Sequence, residues 1–272
     1  MEVKLGICNF CVPGTGVFAP EIVKEMGLDG MSIEFGSYEH GWPLSQRKLQ
    51  DYYLKKQQEL GIEYPNVGVS DGDNIPFHAR PGTRWDPVVN AEGTKAIDVA
   101  SYMQIPLVFF SNFNASLMKN DQDIEYTAKR YQYFCDYAGE KGISIGCENP
   151  NSIEDQKKLV QLVDRENFYL FFDSCNHACL SDYDVHEVLR EMYPCYYPQM
   201  HVKDGVVGDN AQYVLGTGTT GFQETIDFLK KKDYKGWLIL ENLYELDPMR
   251  RINEDYFEIM RQDIAVLREA VQ

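Results

Sequence analysis

Four apolar runs in the second half of the chain each end in a side chain that can bind a metal or move a proton, and this repetition constrains the fold more than any other feature. Residues 143–148 end in Glu148, 168–173 in Asp173, 197–201 in His201 and 237–241 in Glu241. Pro150 keeps the first run from passing directly into helix. Successive end groups lie 25, 28 and 40 residues apart, and each interval holds an amphipathic stretch long enough for the crossover helix that parallel strands require. That is the rhythm of consecutive βα units.

The first half continues it. Strand patterns at 3–8, 31–35, 62–69 and 105–110 alternate with helical periodicity at 20–26, 44–60, 86–103 and 121–141. Gly27, Gly61 and Gly142 stand where helices close, and Asp86 before Pro87 is a capped helix start. Helices at 152–163, 182–192, 222–232 and 253–270 follow the four later strands, with 203–220 read as a loop. Residues 70–85 form a long polar loop carrying Asp71, Asp73, His78, Arg80 and Arg84, and loops of that length are usually functional or mobile. Gly72 and Gly82 read as hinges of a lid over one side of the site. Eight βα pairs without a linker of biased composition read as a single (β/α)8 TIM barrel over residues 1–272. Active sites of such barrels lie at the C-terminal strand ends, where Glu148, Asp173, His201 and Glu241 all fall.

Composition narrows the function. With 44% hydrophobic residues in 272, one large α/β core is expected. No run approaches the roughly 18 to 20 apolar residues of a membrane span, and the first residues lack a signal-peptide pattern, so a soluble, cytoplasmic protein is expected. Seven cysteines, an odd number, point to reduced thiols. A net charge of -16 repels nucleic acid and anionic membranes and leaves a small molecule as the expected partner.

Three carboxylates and an imidazole at one barrel mouth repel each other unless a cation or proton lies between them. Any one of these acids alone reads as readily as a helix cap or a backbone partner. The four together suit one divalent ion, with Mn2+ expected and Mg2+, Co2+ or Zn2+ as competitors. The open positions can take a carbonyl and a neighbouring hydroxyl of a sugar, so that the ion acidifies the adjacent C–H and stabilises the enediolate. Glu148 and Glu241 are then the acid/base pair, one removing a proton from one face and the other returning it to the opposite face.

The segments Cys147-Glu148-Asn149-Pro150, Phe172-Asp173-Ser174-Cys175-Asn176-His177, Met200-His201-Val202-Lys203-Asp204 and Leu240-Glu241-Asn242 resemble the xylose isomerase-like barrel superfamily, in its sugar-phosphate isomerase/epimerase branch. Leu215 to Gly218 before Gly221-Phe222 supports the likeness. The resemblance implies a metal held by Glu148, Asp173, His201 and Glu241, proton transfer by the two glutamates as in D-tagatose 3-epimerase-like and L-ribulose-5-phosphate 3-epimerase-like enzymes, and a homo-oligomer. Asn176, with His177 one place later, stands where many ketose 3-epimerases carry histidine, and Lys203 is the nearest cation to an arginine expected after His201. These departures look more like the L-ribulose-5-phosphate 3-epimerase and inosose dehydratase branches. A lyase on the same scaffold, dehydrating an inosose or cleaving a 3-oxo-glycoside, would use the same enolate, with His177 or Lys203 as the acid over the leaving group.

The remaining candidates each carry a plainer alternative. Lys203 reaches either the sugar or a neighbouring acid, Glu34 either a sugar hydroxyl or local backbone, and Trp42 either a sugar face or the core. Arg80 and Arg84 either grip a phosphate or stay solvated. Cys8 with Cys11, and Cys175 with Cys179, read as packing residues. His40, His78 and His186 stand in no motif. A multi-zinc nuclease, which needs many histidine ligands, is excluded by five histidines and the acidic charge.

Overall fold

Strands that are apolar on both faces can lie only between a filled interior and a covering layer. In the computed structural model, which describes residues 1–14 and 16–272, eight such strands close into a parallel barrel. In chain order they are β1 (Glu2–Cys8), β2 (Gly30–Glu34), β3 (Val67–Val69), β4 (Leu107–Ser111), β5 (Ser144–Glu148), β6 (Phe168–Asp173), β7 (Tyr196–Val202) and β10 (Lys235–Leu240), with β10 pairing to both β7 and β1. A separate antiparallel hairpin, β8 (Asp204–Val206) and β9 (Asp209–Tyr213), rises between β7 and β10.

The helices cover the outside: α1 (Ala19–Glu25), α2 (Arg47–Leu60), α3 (Asp86–Met103), α4 (Asp121–Gly139), α5 (Ile153–Val163), α6 (Asn176–Ser181), α7 (Val185–Met192), α8 (Phe222–Lys231) and α9 (Tyr256–Val271). Their starts follow local chemistry. Ser152 Oγ accepts from Asp155 N at 3.1 Å, and Asp184 and Asp255 accept from the first amides of α7 and α9. Between barrel and helices, Phe77, Phe110, Tyr131 and Phe134 pack as one aromatic cluster, with Phe110 and Phe134 stacked at 5.1 Å.

Inside the barrel, Phe109 and Phe171 stack at 4.4 Å, and the ring of His201 stands edge-on above both. Gly146 makes room for this floor: a Cβ there would lie 2.8 Å from the Phe109 Cβ. Strand register sets the heights of the end groups. Asp173 pairs with His201, Ser111 pairs with Glu148, and Glu241 N donates to Val202 O at 3.1 Å.

Four elements differ from the sequence reading. The third strand covers only Val67–Val69, because Pro65 has no N–H to pair and Tyr64 is buried with its hydroxyl on Tyr53 O. The span 203–220 contains the β8/β9 hairpin, turned at Gly208 with φ 95°. The helix expected at 182–192 starts at Val185, and α6 forms before it. The loop 70–85 is pinned in its first half instead of hinged: Phe77 lies in the aromatic cluster, and a Cβ on Gly72 would lie 1.9 Å from Ser111 O.

One buried carboxylate ties the last helix to the mouth. Asp263 of α9 accepts from Leu215 N at 2.7 Å, Asn242 Nδ2 at 2.6 Å and Tyr244 OH at 3.0 Å. Burial pushes its carboxyl up to about 6, so at neutral pH it is an acceptor facing three donors. Asp263→Asn replaces one acceptor with a donor and is expected to cost about 1 to 3 kcal/mol of stability by urea denaturation at pH 7.5; an unchanged midpoint would refute this role.

Candidate active site

The C-terminal mouth of the barrel opens into a cavity of about 520 Å3. Glu241, directly after β10, lines this cavity, and next to it lie three buried groups: Glu148 closes β5, Asp173 closes β6 and His201 lies within β7. One ligand atom from each of the four lies within 4.8 Å of all the others. His201 Nδ1 stands 3.3 Å from Glu148 Oε1 and 3.2 Å from Glu241 Oε2, so the imidazole sits between the two glutamates. Its Nε2 faces Cys8 Sγ at 3.4 Å.

Each acid has a distinct partner. Asn176 Nδ2 donates to Glu148 Oε1 at 2.9 Å, and Lys203 Nζ donates to Glu241 Oε2 at 2.5 Å. Asp173 Oδ1 accepts from the amides of Cys175 and Asn176 at 2.8 and 2.6 Å. Asp173 Oδ2, equally buried, has no hydrogen-bond partner, although Lys203 Nζ is 3.2 Å away.

Crowding of charge perturbs the titrations. Burial pushes Asp173 up to about 7 against the pull of Lys203, with Glu241 and Glu148 adding to the rise. Burial opposes protonation of His201, yet Glu241, Cys8 and Glu148 outweigh it and hold the imidazolium well above its ordinary range. Lys203 is likewise desolvated but kept charged by Asp173, Glu241 and Glu148. Glu241, although buried, is held well below the usual carboxylate range by His201 and Lys203.

These residues fit a divalent ion. Ligand atoms opposite each other across a hard divalent cation stand about 4 to 5 Å apart, which matches the spread of the four. Asp173 Oδ2 supplies a buried oxygen that accepts no hydrogen bond, and three carboxylates with one imidazole are a hard donor set.

The other expected residues divide. Asn176, Lys203 and Glu34 line the cavity. Trp42 does not: it packs against Phe35 and Tyr38 and donates its indole N–H to Glu92 at 3.1 Å, so its ring is spent on the core. His177 is buried outside the cavity lining with Nε2 3.0 Å from Gln156 Nε2, and burial lowers its pKa to about 4. Residue-by-residue reading of the sequence passed over Ser70, Asp73, Ser111, Asn114 and Asn210 as wall residues. Only Asp73, in the long loop, carried a prior signal; Asn210 comes from the unforeseen hairpin.

Glu34 ends β2, where its carboxylate accepts from Ser70 N at 3.2 Å and Ser70 Oγ at 2.9 Å. Burial outweighs these bonds and raises its pKa from 4.5 to about 7. The folded state therefore holds this proton more firmly than the unfolded chain, and stability falls as pH rises across that window. Glu34→Gln, neutral throughout, is expected to lose less stability than wild type between about pH 5 and about pH 8 in urea denaturation; parallel slopes would show that another group carries the titration.

A model of the xylose isomerase-like TIM barrel matches residues 20–270. A 2-epi-5-epi-valiolone 7-phosphate 2-epimerase of Actinoplanes sp. is 22% identical over 256 residues, spanning 94% of this chain and 93% of the relative. An inosose dehydratase of Glaesserella parasuis is 27% identical over 155 residues, 47% of this chain and 50% of the relative. The crystal structure of a D-psicose 3-epimerase with D-tagatose from Clostridium cellulolyticum superposes with a TM-score of 0.80 at 14% identity, covering 99% of this chain and all of that one (100%). The IOLI protein with a binding zinc atom superposes at 0.78 and 14% identity, covering 99% and 98%. At such identities the structural likeness speaks to the fold. No described helix is long and apolar enough to cross a membrane.

Proposed function

The chain belongs to the xylose isomerase-like TIM barrel family, and from that premise we propose that it is a divalent-metal-dependent isomerase or epimerase that moves a proton next to the carbonyl of a keto-sugar or a sugar phosphate. The observation that carries this reading is the placement of Glu148 and Glu241 on either side of His201, at 3.3 and 3.2 Å from the same Nδ1. By their names one relative above is a 2-epimerase of a valiolone 7-phosphate and the other an inosose dehydratase, which supports epimerase or lyase chemistry on a sugar-like substrate or its phosphate.

A divalent ion held by Glu148, Asp173, His201 and Glu241, Mn2+ by preference, would supply Lewis-acid polarisation of the carbonyl and make the neighbouring C–H acidic. The protein's own part is positioning and proton transfer. Asn176 turns Glu148 by its Oε1, and Lys203 turns Glu241 by its Oε2, so each glutamate keeps a second oxygen to present to substrate. Two bases on opposite sides of one carbon permit removal from one face and return on the other, which is epimerisation. Lys203 adds a fixed positive charge where negative charge develops, and its burial strengthens that effect. Elimination on the same scaffold is the second reading, favoured by the dehydratase relative and by the ammonium of Lys203 at the cavity wall, which can protonate a leaving oxygen.

Incubation of the Mn2+-loaded protein in D2O with free ketoses, ketose phosphates, inosose and a 3-oxo-glycoside tests this by NMR. Deuterium is expected next to the carbonyl of at least one compound, with a loss of about 100-fold or more in Glu148→Gln and in Glu241→Gln. An epimeric product supports the first reading and an unsaturated one the second. Absence of exchange across the whole set, with an ion bound, would refute the proposal.

A further inference from the structure

We infer that the substrate of this site is an uncharged ring keto-sugar carrying an apolar substituent, an alkyl or aryl glycoside, an inference that rests on the enolising function proposed above. Two sets of observations lead there, one excluding a phosphate and one accounting for the shape of the wall.

A phosphate needs cations or free backbone amides. Among the described residues that line the cavity, Lys203 is the sole cation, and its Nζ is engaged by Glu241 at 2.5 Å and Asp173 at 3.2 Å. The arginines of the 70–85 loop are turned elsewhere: Arg80 donates to Gln122 and lies 5.6 Å over the Tyr126 ring, and Arg84 lies 4.3 Å over Trp85. The glycine-rich segment after the hairpin, which would otherwise cradle an anion, already holds one. Asp204 Oδ2 accepts from Gly216 N at 2.8 Å and Gly218 N at 3.0 Å, while Oδ1 accepts from Gly205 N at 2.9 Å and Thr220 Oγ1 at 2.8 Å. The cavity wall instead carries the carboxyl groups of Glu34, Asp73 and Glu241, of which Glu241 is held ionised, so an approaching dianion finds no second cation and meets a negative group.

The cavity is also divided in character. Glu241, Lys203 and Asn176, which stand against the buried acids, suit a carbonyl and hydroxyls. The more open part of the cavity shares polar Ser37, Asp73, Asn114 and Asn210 with four large apolar side chains: Phe10 is 39% exposed and Leu180 51% exposed, and Phe113 and Leu243 are half-buried beside the same space. Phe10 follows β1 and Leu180 lies in α6 after β6, so the apolar residues come from separate parts of the rim. A bare ketose or inosose offers hydroxyls in every direction and leaves these side chains in water. An aglycone extending outward from the ring covers them.

The test compares phenyl 3-oxo-β-D-glucopyranoside, its methyl counterpart and D-fructose 6-phosphate by calorimetric titration into the Mn2+-loaded protein and into Phe10→Ala and Leu180→Ser. The phenyl compound is expected to bind about tenfold more tightly than the methyl one, as burial of an aromatic ring implies. Fructose 6-phosphate is expected to bind more weakly than either, and the phenyl-to-methyl ratio is expected to fall towards one in both variants. Tightest binding of the phosphate, equal binding of the two glycosides, or a ratio that neither variant changes would overturn the inference. Solvent-deuterium exchange in the same samples separates it from the function beneath. Exchange with the phosphate alone overturns the substrate class and leaves enolisation standing; tight binding of the phenyl ketone without exchange in any compound supports the class and overturns enolisation.

Discussion

Three carboxylates compressed around one imidazole are the constraint on which this structure depends. Two like charges about 4 to 5 Å apart repel by about 3 to 4 kcal/mol at an effective dielectric of 20. An oxygen from each of Glu148, Asp173 and Glu241 lies within 4.8 Å of the others, and this repulsion adds to burial in pushing Asp173 up to about 7. The arrangement survives because positive charge is placed among them. His201 and Lys203 are both held in their cationic forms by the acids around them, and each touches two of the three. Ligation of an ion through His201 requires the neutral imidazole, so metal affinity and pH are coupled at this residue.

The scaffold makes that compression affordable in structure by fixing its members on different strands. Parallel register sets Asp173 level with His201 and Ser111 level with Glu148, and the stacked Phe109 and Phe171 rings support the imidazole from below. Around the rim, Asn242 continues the order into the last helix: it accepts from Asp204 N at 3.1 Å and donates to Asp263. Glu241 is thus followed by a residue that locks its own strand end, and Asp204, beside Lys203, organises the glycine-rich segment. Neighbours of the site residues in sequence serve as their supports in space.

This explains what the sequence made legible. The barrel, and the positions of Glu148, Asp173, His201 and Glu241 at its mouth, follow from apolar runs ending in polar groups, because a buried parallel strand has no other place to put a charge than its end. Lys203 was readable as a wall residue by two-residue alternation from His201, and Glu34 by its place at the end of its strand. Trp42 and His177 lie outside the cavity lining, and a lone tryptophan or histidine carries no directional signal; each has a buried partner, Glu92 and Gln156, 50 and 21 residues away in sequence. The short third strand and the β8/β9 hairpin were hidden by local exceptions, a proline inside an apolar run and a turn inside a polar one. Ser111, Asn114 and Asn210 enter the cavity only through tertiary packing, which periodicity does not encode.

The central claim is that one divalent ion sits among Glu148, Asp173, His201 and Glu241. Anomalous diffraction from Mn2+-soaked crystals of the wild-type protein and of Asp173→Asn tests it most directly. A single anomalous peak within about 2.5 Å of an atom from each of the four residues, lost or much reduced in the variant, is the predicted result. A peak bound elsewhere, or Lys203 Nζ remaining at Asp173 and Glu241 with no peak between the four, would contradict the account.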